Sequence, residues 1–140
     1  MELNGLVVEP DGSKFWYLHD RLHRIDGPAA ITEDGSLCWY LNGLLHRVDG
    51  PAVINSNGAQ RWYVDGLLHR IDGPAAVWPN GDEFWYHHDQ LHRVDGPAVV
   101  YRAGGMVRWY HYGQRMLFDQ WLDLVAVTDK ERTFLALKWS

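Results

Sequence analysis

One eight-residue string dominates this chain. It reads LHRIDGPA at Leu22–Ala29 and Leu68–Ala75, and LHRVDGPA at Leu45–Ala52 and Leu91–Ala98, so equivalent letters fall 23 residues apart. A fixed period of this length constrains the fold more than any other feature. Every copy meets the same surroundings only in a linear stack, where it touches its two neighbours. A catalytic centre needs its residues once, so His, Arg and Asp written four times at one spacing are read first as architecture.

The rest of the period spells a β-hairpin. Trp16, Trp39, Trp62 and Trp85 keep the same step, and Trp109 follows 24 residues later, the extra residue being placed at the Gly104-Gly105 turn. After each Gly-Pro comes a short apolar stretch (AAIT, AVIN, AAVW, AVVY). A turn with Asp-Gly or Asn-Gly follows, then an aromatic stretch ending in Trp-Tyr, then a second turn. β-Branched and aromatic residues favour strands, and Asn-Gly or Asp-Gly supplies the positive φ of tight hairpin turns. Pro28, Pro51, Pro74 and Pro97 each open a strand, where a missing N–H costs little.

The expected fold is therefore mainly β, a single-layer twisted antiparallel sheet. Five hairpin repeats occupy residues 1–115 and a C-terminal helical cap occupies residues 116–140. In the cap, Asp119 is expected to start a helix over QWLDLVAV, and Thr128 with Glu131 makes a capping box opening a second over DKERTFLALKW. Trp121, Leu122, Val125, Phe134, Leu135 and Trp139 form its expected apolar face, laid over the last strand because an uncovered edge invites pairing. Val7 and Val8 mark the opposite edge, which nothing in the sequence covers. A homodimer, if formed, is expected through that edge strand or through the helical cap.

Composition excludes several function classes. The net charge of −5, from 13 basic and 18 acidic residues, argues against broad binding to nucleic acid or membranes, both anionic. Cys38 stands alone and suits a reducing compartment. MELNGLVVEPDG has no basic region ahead of a long apolar run, so no signal peptide is expected, and no stretch is apolar enough to span a membrane. A cytoplasmic location follows. No Gly-x-Ser-x-Gly elbow or phosphate-cradling glycine loop occurs, and no enzyme activity or cofactor is expected.

The ordered string W-Y-x-x-G-x-x-H-R-x-D-G-P-A, as at Trp39–Ala52, resembles the MORN (membrane occupation and recognition nexus) repeat. It is closer still to the LHR-x-DGPA variant carried by proteins of bacteriophages and bacteria, and the similarity covers residues 5 to about 113. Plain MORN repeats have Gly where Arg47 stands and lack Asp49, so lipid binding is not carried over. The resemblance implies a twisted hairpin array used for binding, with no catalytic residues. It further points to a phage-encoded protein, acting in the host cytoplasm, that occludes a host-defence complex such as a CRISPR-type nuclease. A nucleotide-binding sponge and a virion structural or assembly protein are the alternatives.

Three constellations are candidates for sites. The first is the repeated set His23, Arg24, Asp26, His46, Arg47, Asp49, His69, Arg70, Asp72, His92, Arg93 and Asp95. One two-strand repeat advances about 9.6 Å. Ligands on one zinc sit about 2.0–2.3 Å from it, so successive histidines cannot share an ion. These residues are expected to brace the stack instead, each Asp accepting from an Arg and each His bonding a turn carbonyl. A buried pair is expected, with Asp49→Ala costing about 3–5 kcal/mol.

The second constellation is the set of positions that vary between repeats. Architecture demands the constant letters, so a protein partner is expected to read the changing ones. Trp78, Tyr101 and Arg102 have the composition of an interface anchor, with Arg61 and Arg108 in related columns, and Asp34, Asp82 and Glu83 line an acidic rim. The third is the cluster of His87, His88, His92 and His111 with Asp89. His87, at a varying position, is a further partner-binding candidate, and its facing the opposite side of the strand from His88 argues against a metal site.

Overall fold

The computed structural model describes residues 1–140. One antiparallel sheet of 12 strands runs the length of the molecule. It starts with Gly5–Val8 on Lys14–Leu18 and continues through Ala30–Ile31, Leu37–Cys38, Val53–Ile54 and Gln60–Arg61. Ala76–Val77, Glu83–Phe84, Val99–Val100, Val107–His111 and Gln114–Met116 complete it, with Arg21–Leu22 beside Lys14–Leu18. The first turn of each repeat sets the register, pairing Ala30 with Cys38 and Ile31 with Leu37 in one copy, and Ala76 with Phe84 and Val77 with Glu83 in another.

The aromatic stretch departs from expectation. It is not one strand in the middle repeats, because it changes partner at the tryptophan. Leu37–Cys38 belongs to the long sheet, whereas Tyr40–Leu41 pairs with Leu44–Leu45 in a separate small hairpin. Tyr63–Val64 with Leu67–Leu68, and Tyr86–His87 with Gln90–Leu91, do the same. Trp39 joins the rows: its N–H donates to Ala52 O at 2.7 Å and its carbonyl accepts from His46 N–H at 3.0 Å. In the terminal copies the halves stay fused, as Lys14–Leu18 and Val107–His111. The Leu-Leu return strands went unread because two residues carry no period.

The small hairpins close with two-residue turns in which both residues have positive φ, as at Asn42 (49°) and Gly43 (81°). That is the primed turn whose twist matches its strands. His19, His88 and Tyr112 hold the same conformation without the usual Asn or Asp. Each turn also ties its hairpin to the previous copy. The N–H groups of Gly43, Gly66, Asp89 and Gly113 donate to Leu22 O, Leu45 O, Leu68 O and Leu91 O at 2.7–2.8 Å. At the far rim Ser13 Oγ, Ser36 Oγ and Asp82 Oδ1 accept from Glu33, Ser56 and Arg102 N–H one repeat on.

The interior is narrow. Ala29, Ala52, Ala75 and Ala98 have 0% exposure, and Ala30, Val53, Ala76 and Val99 are buried beside them. A spine of small side chains is what lets successive hairpin backbones approach. Large residues gather only at the C-terminal end, where Trp109, Trp121, Leu122 and Leu135 cluster under α1 (Phe118–Val125) and α2 (Asp129–Trp139). The Thr128–Glu131 capping box forms as expected, Thr128 Oγ1 accepting from Glu131 N–H at 3.2 Å. Two expectations fail. Leu117, not Asp119, occupies the N-cap of α1, closed by Gln120 accepting its N–H, and Phe134 points outward. No helix is long and apolar enough to cross a membrane.

Ala52→Leu is expected to lower unfolding free energy by about 1–3 kcal/mol through overpacking, measured by urea denaturation, while Ala103→Leu in the exposed turn leaves it unchanged.

Candidate binding edge

The LHRxDGPA loops line one edge of the ribbon, and an arginine organises each. Arg24, Arg47, Arg70 and Arg93 place Cζ over the rings of Trp16, Trp39, Trp62 and Trp85 at 3.9–4.1 Å. Each Nε donates to the Asp two residues on, at 2.6–3.0 Å, and each Nη1 donates to the proline carbonyl four residues on, at 3.1–3.2 Å. The loop thus closes around its own guanidinium, a fork suited to that task. Glycine follows the Asp because a Cβ at Gly73 would lie 2.8 Å from Arg70 Cζ.

The expected buried pair is absent. The Asp49 side chain is 79% exposed and Arg47 only 22%, and the other copies follow suit. The Arg hydrogen bond, then its charge, holds Asp26, Asp49 and Asp72 below the ordinary carboxylate range, but these carboxylates stand in solvent. The brace is the arginine, and the aspartate steadies it from outside.

The histidines also depart from expectation, since they accept a turn N–H and do not bond a turn carbonyl. Nδ1 of His23, His46, His69 and His92 accepts from the backbone N–H of Asn42, Asp65, His88 and Tyr112 in the next repeat, at 3.0–3.1 Å. In the first partial repeat Asn4 Oδ1 does the same for His19 N–H at 2.9 Å. Burial pushes His69 and His92 below the ordinary 6.5, with neighbouring His88 and His87, or His111 and His87, adding to it.

His87 and His88 do not face opposite sides. The positive φ of His88 (45°) brings its ring 4.4 Å from His87 and 4.2 Å from His69. Ligand nitrogens of these three lie within 4.8 Å of one another. Yet His69 Nδ1 holds the His88 N–H, so in the neutral ring Nε2 keeps the proton and offers no lone pair. An ion taking His69 would break a bond between repeats.

The other candidates are scattered. Trp78 is exposed at a turn, its backbone N–H donating to Asp82 O at 3.0 Å. Arg102 is engaged with Glu83 Oε1 (2.5 Å), Gly81 O and, through its N–H, Asp82 Oδ1. Tyr101 packs edge-on to Phe84 and under Arg108. Arg61 bonds Asn55 Oδ1, while the Nε atoms of Arg61 and Arg108 are buried without partners. Asp34 sits in a different turn, held to about 2 by the Thr32 hydroxyl, Ser36 and Ser56. The rim residues mostly build turns.

Sequence reasoning missed the residues between Arg and Asp. Ile25, Val48 and Ile71 are 87–88% exposed, and Val94 is 56%. The loop's hydrogen bonds do not use them, and a β-branched aliphatic in the x of HRxDG was the available signal. Between successive loops lie clefts of about 770, 700 and 530 Å³. After the fourth loop the equivalent space is filled by the cap. Trp121 Nε1 donates to Arg93 O and Trp139 Nε1 to Asp95 O, both at 2.9 Å, and the Trp121 ring packs tilted against Trp109, centroids 4.4 Å apart. No protein-family model matches this chain, and no curated protein matches it in sequence.

Two outcomes follow. Arg47→Ala is expected to cost about 2 kcal/mol in urea unfolding from the lost stack and carbonyl bond, with Asp49→Ala close to wild type. Because folding holds His69 and His92 neutral, stability is full above pH 6.5 and declines as pH falls below it. His92→Asn, which keeps an acceptor that does not titrate, should flatten the decline seen in melting temperature against pH.

Proposed function

We propose that this chain is a non-enzymatic repeat scaffold that binds a protein partner along the edge formed by its four loops. The observation carrying the reading is the row of exposed Ile25, Val48, Ile71 and Val94, regularly spaced and flanked by open clefts. Exposed apolar groups in register, each beside a charged Asp, have the makeup of interface anchors within a polar rim.

The chain's net charge of −5 and the exposed Asp26, Asp49, Asp72 and Asp95 favour a basic partner surface. Together with the resemblance to phage repeat proteins, this supports occlusion of a host nucleic-acid-guided nuclease as the specific role, in the host cytoplasm. A nucleotide sponge has weaker support, since the arginines already cover one face of Trp16, Trp39, Trp62 and Trp85.

The test is affinity capture from host lysate, with the Ile25→Ser/Val48→Ser/Ile71→Ser variant as comparator. The variant should keep the wild-type melting temperature and lose the captured protein, and the wild-type capture should weaken with salt. Equal capture by both chains would remove the proposal.

A further inference from the structure

The four loops are alike in sequence but not in occupancy. In the fourth, Trp139 lies against Arg93 (5.6 Å from Cζ to the ring centre) and against Gly96, where a Cβ would meet it at 2.7 Å. Its indole N–H donates to Asp95 O, and its ring meets Trp109 edge-on at 6.0 Å. The first cleft is lined by the counterparts of these four residues, Arg24, Asp26, Gly27 and Trp39. The second and third repeat the set. The carbonyls of Asp26, Asp49 and Asp72 receive no hydrogen bond from the chain.

We infer that each of the three open clefts takes an indole side chain from a partner protein, held by the contacts that hold Trp139 in the fourth. This rests on reading the loop edge as a protein-binding surface. The occupant is specified by chemistry. A flat ring fits beside the loop arginine and over a glycine that has no Cβ to obstruct it, and a single N–H answers a single exposed carbonyl. Tryptophan supplies ring and donor together, and it is among the residues enriched at interface hot spots. Phenylalanine would leave the carbonyl unanswered. The flanking Ile25, Val48 and Ile71 would pack around the incoming residue's own backbone.

The test uses the full chain, labelled with ¹⁵N, and N-acetyltryptophanamide as probe, with its 1-methylindole counterpart lacking the N–H. The probe is expected to shift the amides of Gly27, Gly50 and Gly73 while leaving Gly96, whose cleft is filled. The methylated probe should shift them less. Trp139→Ala should bring Gly96 into the responding set. No response at the three glycines, an equal response to the methylated probe, or a response at Gly96 in the wild-type chain overturns the inference. If the probes fail while partner capture still depends on Ile25, Val48 and Ile71, only the indole assignment falls and the scaffold reading stands.

Discussion

The structure depends on one interaction, a guanidinium laid on an indole. A ribbon this thin cannot surround large side chains, so its interior is a column of alanines, which contributes little apolar burial per repeat. Arg24, Arg47, Arg70 and Arg93 make up part of the deficit. Each covers a tryptophan face, closes its loop through the proline carbonyl, and keeps most of its own surface from water. Such a stack, partly desolvated and geometrically specific, is worth more than an exposed ion pair. The aspartate is the visible half of the motif and the lesser contributor.

Between repeats, cohesion comes from hydrogen bonds of one kind at a time. The second residue of each small turn donates to a leucine carbonyl, and the first donates to a histidine ring nitrogen. At His69 and His92, which burial holds below the ordinary range, this use of Nδ1 requires the unprotonated ring and links the stack to pH. The ends are finished differently. Asn4 serves where the first histidine would stand, and Trp121 covers Trp109 where a fifth arginine would stand. Terminal copies that replace the missing neighbour are a general need of stacked architectures.

Much of the architecture was legible because the period is written in residues with narrow conformational uses. Pro, Gly and Trp at fixed offsets specified hairpins, and Thr128 with Glu131 marked a helix start. What escaped had no local signature. The break at Trp39 arises from partner exchange between rows, which is set by neighbouring copies. The convergence of His88 with His69 and His87 follows from positive φ at His88, a conformation uncommon outside glycine. The exposure of Asp49 depends on the loop folding inward around Arg47. The principle that constant letters are scaffold and changing letters are surface failed at Ile25, Val48 and Ile71, which are constant in character yet face solvent.

The constant 23-residue step between the four loops has a geometric consequence. Identical loops at one interval make the edge a ruler. On the proposed reading, a partner whose anchors match that interval would engage the second and third positions at high effective concentration once the first is seated, whereas a mismatched one would gain a single weak contact. Discrimination would then reside in spacing more than in any individual side chain, and adding or deleting one whole repeat would change valency without changing chemistry.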